Sequence, residues 1–312
     1  MKRRDFLRGA ASLGAFCGLP RVARADARPG LDDALLSLIE DTPREKLVEA
    51  VVAKIRDGAS YRQVVGALLL AGVRNVRPRP VGFKFHAVMV VHACHQASRA
   101  GKDDDRWLPI LWAVDHFKGP QAEEKKATGW TLGPVEESKV PPAGRMRAAF
   151  IEAMESWNEE AADVAAVSLA RNAGVQETFE LFARYAARDF RHIGHKAIYV
   201  AGAFRLFDVI GWERAEPVLR SLASALLARD KDETPDLPWA RNKLLATEIP
   251  ADWRGGKTDD AAALEVLAAC RAGSDQDVPK LAVELLQRNV SPRSVWDGLH
   301  LHSGELLLRR PN

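Results

Sequence analysis

Apolar residues recur at three- and four-residue spacing along nearly the whole chain, and this period restricts the fold more than any other feature. The stretches 31–39, 44–55, 61–73, 82–100, 105–117, 144–170, 175–187, 195–210, 213–228, 260–272, 278–286 and 295–308 all follow it. Alternating runs of β-branched residues and Asn-Gly turns are missing, so the pattern predicts an all-α protein. Thr42-Pro43 and Ser291-Pro292 read as helix starts, with the first residue as N-cap and the proline at the first helical position, where its missing N–H is harmless. Polar stretches at 119–144 and 230–257 read as long loops, and Arg77-Pro78-Arg79-Pro80 must be extended, because a residue preceding proline is pushed out of the helical region. No repeat of fixed period is present. The expected architecture is an irregular multi-helix bundle or stacked helical array.

The N-terminus carries an address. Lys2-Arg3-Arg4-Asp5-Phe6-Leu7-Arg8, a Gly/Ala-rich apolar stretch to Leu19 and the small-residue site Ala23-Arg24-Ala25 form a twin-arginine signal. A membrane span needs about 20 apolar residues, and this stretch is shorter and rich in glycine; an uncleaved anchor is the alternative. Phe16 stands where lipid modification of Cys17 would want a small residue. Residues 1–25 are read as the signal peptide and 26–312 as a single helical domain, with the loop 119–144 as the place for any sub-boundary. The expected destination is the periplasm or beyond, reached through the twin-arginine export machinery, with no stable membrane span after cleavage.

Removal of the signal changes the charge balance. It takes six Lys/Arg and one Asp from the chain's 45 basic and 42 acidic residues, leaving 39 and 41, a net of −2. No basic stripe interleaved with aromatics remains, so nucleic acid is not an expected partner. Cys94 and Cys270 both fall in apolar helical patterns and read as two buried thiols, with a disulfide between them as the alternative; nothing resembles a disulfide framework.

Familiar catalytic templates fail. Gly255-Gly256-Lys257-Thr258 imitates the end of a phosphate loop, but Ala251 replaces the upstream glycine and no strand precedes it. The eight histidines are more informative: His86/His92/His95, His116, His192/His195 and His300/His302. At about 100° per residue, His92 and His95 share an arc with Phe85, Val88 and Val91, whereas His86 points away with Met89, Val90 and Ala93. The three cannot close on one metal, although either face can contribute to a site with another helix. The run Arg188-Asp189-Phe190-Arg191-His192-Ile193-Gly194-His195-Lys196 breaks two helices at a glycine corner. His195 then starts the next helix on an apolar face with Ile198, Tyr199, Gly202, Leu206 and Val209, and is expected to turn inward. Lys196 and Arg191 beside free helix N–H groups suit an anion; equally, Asp189 capping the helix and pairing with an arginine would simply lock the corner. Trp107, Trp112, Trp130 and Trp212 either line an aromatic pocket or anchor helices. Asp115 and His116, adjacent on one helix, diverge and are not expected to pair.

The stretches 74–86, 188–199 and 215–222 resemble a family of uncharacterised, twin-arginine-exported helical proteins from planctomycete-type bacteria. The resemblance spans most of the mature chain; it implies an all-α periplasmic protein, with further sequence beyond Trp296-Asp297-Gly298-Leu299, and brings no reaction with it. The chain is also similar, over the segments at His86 and His195, to questin-oxidase-like proteins, helical oxygenases acting on aromatic polyketides. That similarity implies that the two histidines face a common pocket; the residues between depart from the pattern, so substrate and nicotinamide use are not carried over.

Two functional expectations result. One is an exported oxidoreductase or metal-dependent enzyme with His195, Asp189 and His86 as catalytic residues, Arg191, Lys196 and Tyr199 holding substrate, and His86, His192 and His195 as candidate ligands of a transition metal. The other is a non-catalytic helical scaffold or interaction protein. The partner is then a small molecule in the first case and a protein in the second.

Overall fold

The computed structural model describes residues 31–79, 83–188, 194–228 and 237–309. Among these residues the architecture is all-α, with fourteen helices: α1 (Leu31–Asp41), α2 (Arg44–Arg56), α3 (Tyr61–Asn75), α4 (His86–Ala100), α5 (Leu108–Ala127), α6 (Met146–Glu155), α7 (Glu159–Asn172), α8 (Val175–Ala186), α9 (His195–Ile210), α10 (Ala215–Leu226), α11 (Leu237–Leu245), α12 (Asp260–Ala272), α13 (Asp277–Gln287) and α14 (Pro292–Arg309). None of the helices described is long and apolar enough to cross a membrane.

The body is built around α3. Almost every side chain between Val64 and Val73 is buried, as expected of a helix enclosed on all sides. It packs against α1, α4, α5, α9 and α10. Its start is set by a capping box: the Ser60 side chain accepts from the Gln63 N–H, and the Gln63 side chain accepts from the Ser60 N–H. Gly72 lets α4 approach, since a Cβ there would lie 2.9 Å from Val88. α4 and α9 run parallel, with His86 against His195 at their first turns and His92 against Gly202 two turns on.

Several boundaries depart from the periodicity. α5 continues through Gly119 and Pro120 to Ala127, shortening the expected loop of 119–144. The extension is anchored from inside, because Lys118 Nζ donates to the carbonyls of Ile39 and Glu40. The expected helix over 144–170 is two helices: Trp157 adopts a positive φ of 57°, and the Asn158 side chain caps α7 by accepting from the Ala161 N–H. α2 starts at Arg44, with Pro43 at the N-cap position, so Thr42 is not the cap. Pro292 does occupy the first position of α14, with the Ser291 hydroxyl accepting from the Arg293 N–H. The expected loop of 230–257 contains α11, and part of it, 230–236, lies outside the described residues.

One core runs from Leu35 to Ala228 on both sides of the loop preceding α6. A second, smaller cluster of Ala262, Val266, Leu285 and Val290 belongs to α12, α13 and the start of α14. There α12 and α14 lie parallel: Ser294 Oγ accepts from the Asp259 N–H, Gly298 sits on Ala263 and Val266, and Arg271 pairs with Glu305. Gly256, from the failed phosphate-loop motif, is explained by packing. Its absent Cβ would lie 2.5 Å from the Val290 carbonyl carbon, beside the short parallel bridge between Lys257 and Val290.

A Cβ at Gly298 would lie 2.5 Å from the Ala263 carbonyl oxygen and 2.6 Å from Val266 Cβ. Gly298→Ala must separate α12 from α14, at about 1–3 kcal/mol for overpacking. Urea unfolding followed at several probes should show an early transition confined to this layer, while the body around α3 keeps its midpoint.

Candidate functional site

His86 and His195 are brought together. Each is the first residue of its helix and half-buried, and their rings meet edge to face with centroids 5.0 Å apart. Two local devices deliver them. A 3-10 turn, Phe83–Phe85, leads into α4, and Phe85, fully buried, packs edge-on against Tyr199 of α9 at 4.8 Å. On the other side Gly194 enters α9 in the left-handed region at φ 76°, a conformation that favours glycine. Asp189, Arg191 and His192, the other residues expected at this corner, lie outside the described residues.

The lysine and tyrosine expected to hold substrate are instead consumed by the fold. Lys196 is buried and its ammonium donates to the Ala228 carbonyl at 2.6 Å. Tyr199 is buried too, with its hydroxyl donating to Ser221 Oγ at 3.0 Å; burial pushes its pKa well above the normal phenol range. Neither side chain reaches toward a solvent-accessible ligand, because the face of α9 that follows His195 packs into the body. Ile198 is the exception on that face: it is 54% exposed, at the outer edge of the α4–α9 seam, contrary to the helical-wheel expectation.

Two carbonyls at the end of α10, and one just past it, gather three cations. Arg79 donates to Ser224 O at 3.3 and 3.2 Å, Arg188 to Leu226 O at 3.3 Å, and Lys196 to Ala228 O. Arg188 also donates to the Met154 carbonyl and lies 3.8 Å from the centre of the Trp157 ring. Unsatisfied carbonyls and the negative end of the helix dipole favour cations here. The chain leading to His86 and the chain leading to His195 are thereby tied to one helix end.

A buried carboxylate holds the approach to His86. Glu124 of α5 is 1% exposed and accepts from Lys84 Nζ at 2.7 Å, Thr128 Oγ1 at 2.5 Å and the Arg77 N–H at 3.1 Å. Burial alone would favour its neutral form, but the bonds from Lys84, Thr128 and Arg77 outweigh it and hold the carboxyl below the usual range. The sequence reading left Glu124 in a loop. Its helical spacing from Val114, Phe117 and Pro120, all buried, is the signal that could have found it.

The remaining histidines on α4 take separate partners. His95, 7% exposed, has Nδ1 3.0 Å from the Tyr61 hydroxyl, with Arg106 stacked 4.5 Å over the Tyr61 ring and Trp107 beside it. Burial, then the charges of Arg99, His92 and Arg106, lower the His95 pKa. His92 Nε2 lies 3.3 Å from Gln96 Nε2, and burial followed by Arg205 lowers its pKa. The tryptophans do not gather into a pocket: Trp107 packs on Tyr61, Trp112 stacks on His116, and Trp212 meets Phe204 and Phe207. Asp115 pairs with Arg44 rather than with His116. Cys94 and Cys270 are free thiols; Cys94 is buried, with its pKa pushed up to about 11, and Cys270 is half-buried. Among the described residues no three His, Cys, Asp or Glu are grouped to hold a metal ion.

Comparison of the chain with protein-family models, with curated proteins and with solved structures gives no match.

Two outcomes are expected. Lys196→Met leaves the Ala228 carbonyl without its buried donor, a cost of about 1–3 kcal/mol, and should lower the thermal midpoint. Burial holds the His95 pKa below the ordinary 6.5. Its contribution to stability is complete above that unfolded value and is lost as pH falls through it toward the folded pKa. Denaturant midpoints at pH 7.5 and pH 5.5 should therefore fall on acidification, and by less in His95→Gln.

Proposed function

We propose that this chain is an exported enzyme, of oxidoreductase or metal-assisted type, whose chemistry is centred on the His86–His195 pair. What carries the reading is the contact between two half-buried imidazoles, 109 positions apart in sequence, at the adjacent first turns of two parallel helices. A neutral imidazole accepts a proton at one nitrogen and donates at the other, so a facing pair suits proton transfer to or from a bound molecule. One nitrogen from each ring would also supply two members of a ligand set for iron, copper or zinc. His192 as third ligand and Asp189 as orienting carboxylate belong to this reading on the sequence alone, since both lie outside the described residues.

The N-terminal pattern adds the setting. In this reading the twin-arginine machinery exports the chain already folded, and it works in the periplasm or beyond. The resemblance to exported helical proteins of planctomycete-type bacteria fits that destination.

A second reading, a helical scaffold that binds another protein, is favoured by one observation. Lys196, Tyr199 and Arg188 all serve internal hydrogen bonds rather than an open pocket.

Metal analysis of protein purified through its native export route separates the two. The enzyme reading expects about one equivalent of a transition metal, or a ligand retained through purification, lost in both His86→Ala and His195→Ala while the helical content stays. Metal-free, ligand-free protein whose stability is unchanged in both variants would overturn it in favour of the scaffold.

A further inference from the structure

Each imidazole of the pair stands beside a lysine whose ammonium is fixed inside the protein. Lys196 follows His195 directly and is tied to the end of α10. Lys84 precedes His86 by two residues and reaches Glu124 on α5. The two anchors differ in kind. Lys196 donates to the Ala228 backbone carbonyl, just past the end of α10. Glu124 is a carboxylate buried in the interior, and it holds two points of the same connection: the Arg77 N–H at its start and Lys84 at its end. The chain leaves α3 at Asn75, two residues before the first of those points, and begins α4 with His86 two residues after the second.

We propose that Glu124 is a positioning residue for His86, fixing the first turn of α4 through Lys84 and the Arg77 backbone so that the imidazole meets His195. The proposal rests on the reading of the pair as the reactive centre. Three features favour positioning over plain stabilisation. The carboxylate binds the connection and not the body of α4, whose interior is already packed against α3 and α9 by Val88, Met89 and Val91. Thr128, from the end of α5 itself, satisfies the other oxygen and keeps the carboxylate from turning. A buried ion pair is also an expensive way to gain stability, since well-packed apolar residues of similar size commonly do as well or better. Its particular contribution here is directional: a charge-assisted bond sets where the chain enters the helix.

The test uses the full exported chain with histidine labelled for NMR. The rings, with centroids 5.0 Å apart and edge to face, give a nuclear Overhauser contact between their carbon-bound protons, assigned by its loss in His86→Gln. Glu124→Gln should weaken that contact several-fold at a temperature well below unfolding. Lys84→Arg, which keeps the charge, should preserve it. The double variant Lys84→Met with Glu124→Gln removes the buried ammonium along with its partner, so stability should return while the ring contact stays weak. Recovery of the contact together with stability would overturn positioning and leave Glu124 as a structural residue only; an unchanged contact in Glu124→Gln would overturn it as well. None of these readouts depends on metal content or turnover. An inert His pair would sink the functional reading and leave the geometric result standing, and the reverse holds too.

Discussion

The C-terminal end of α10 is the interaction on which the candidate site depends. A helix leaves its last carbonyls without backbone partners, and their aligned dipoles make that end negative. Here the carbonyls of Ser224 and Leu226 receive Arg79 and Arg188, and that of Ala228, two residues past the helix, receives Lys196. The three cations come from two separate stretches of chain, one running toward His86 and the other flanking the corner before His195. A single helix end therefore fixes the two connections that carry the imidazoles. Two of these cations are almost wholly buried, at 4% for Arg188 and 1% for Lys196, so water does little to weaken the bonds.

This arrangement divides the polar residues around the pair by role. Lys196, Tyr199, Arg188 and Glu124 have side chains turned inward and bonded to protein. His86 and His195 remain half-buried, facing one another. Internally bonded side chains around the pair would hold its alignment, as a reactive centre needs. The same shell would also serve a scaffold, and the pair itself is what separates the two readings.

The C-terminal layer follows a simpler logic. α12 and α14 approach closely because Gly298 presents no side chain, and their parallel course leaves α13 to bridge them. Its core is small and lies apart from the main one. Trp296 and Leu307 stay exposed on the opposite side of α14, at 60% and 75%.

Local chemistry in the chain determined much of the secondary structure. The 3.6-residue period marked most of the helices, Pro292 marked a start, and Gly194 marked a corner, since each depends on neighbouring residues alone. It was less reliable where tertiary bonds overrule local preference. α5 passes through Gly119 and Pro120 because Lys118 and Glu124 are anchored within the body, and Trp157 breaks the 144–170 pattern where Arg188 stacks on its ring. Periodicity could place His195 at the start of one helix and His86 within another over 82–100, but not say that α4 begins at His86 or that the two helices lie side by side and parallel. Nor could it show that Lys196 and Tyr199 spend their polar atoms on α10. Which groups meet across 100 or more residues is set by packing around α3 and by the carbonyls at one helix end, and only the folded chain brings those into being.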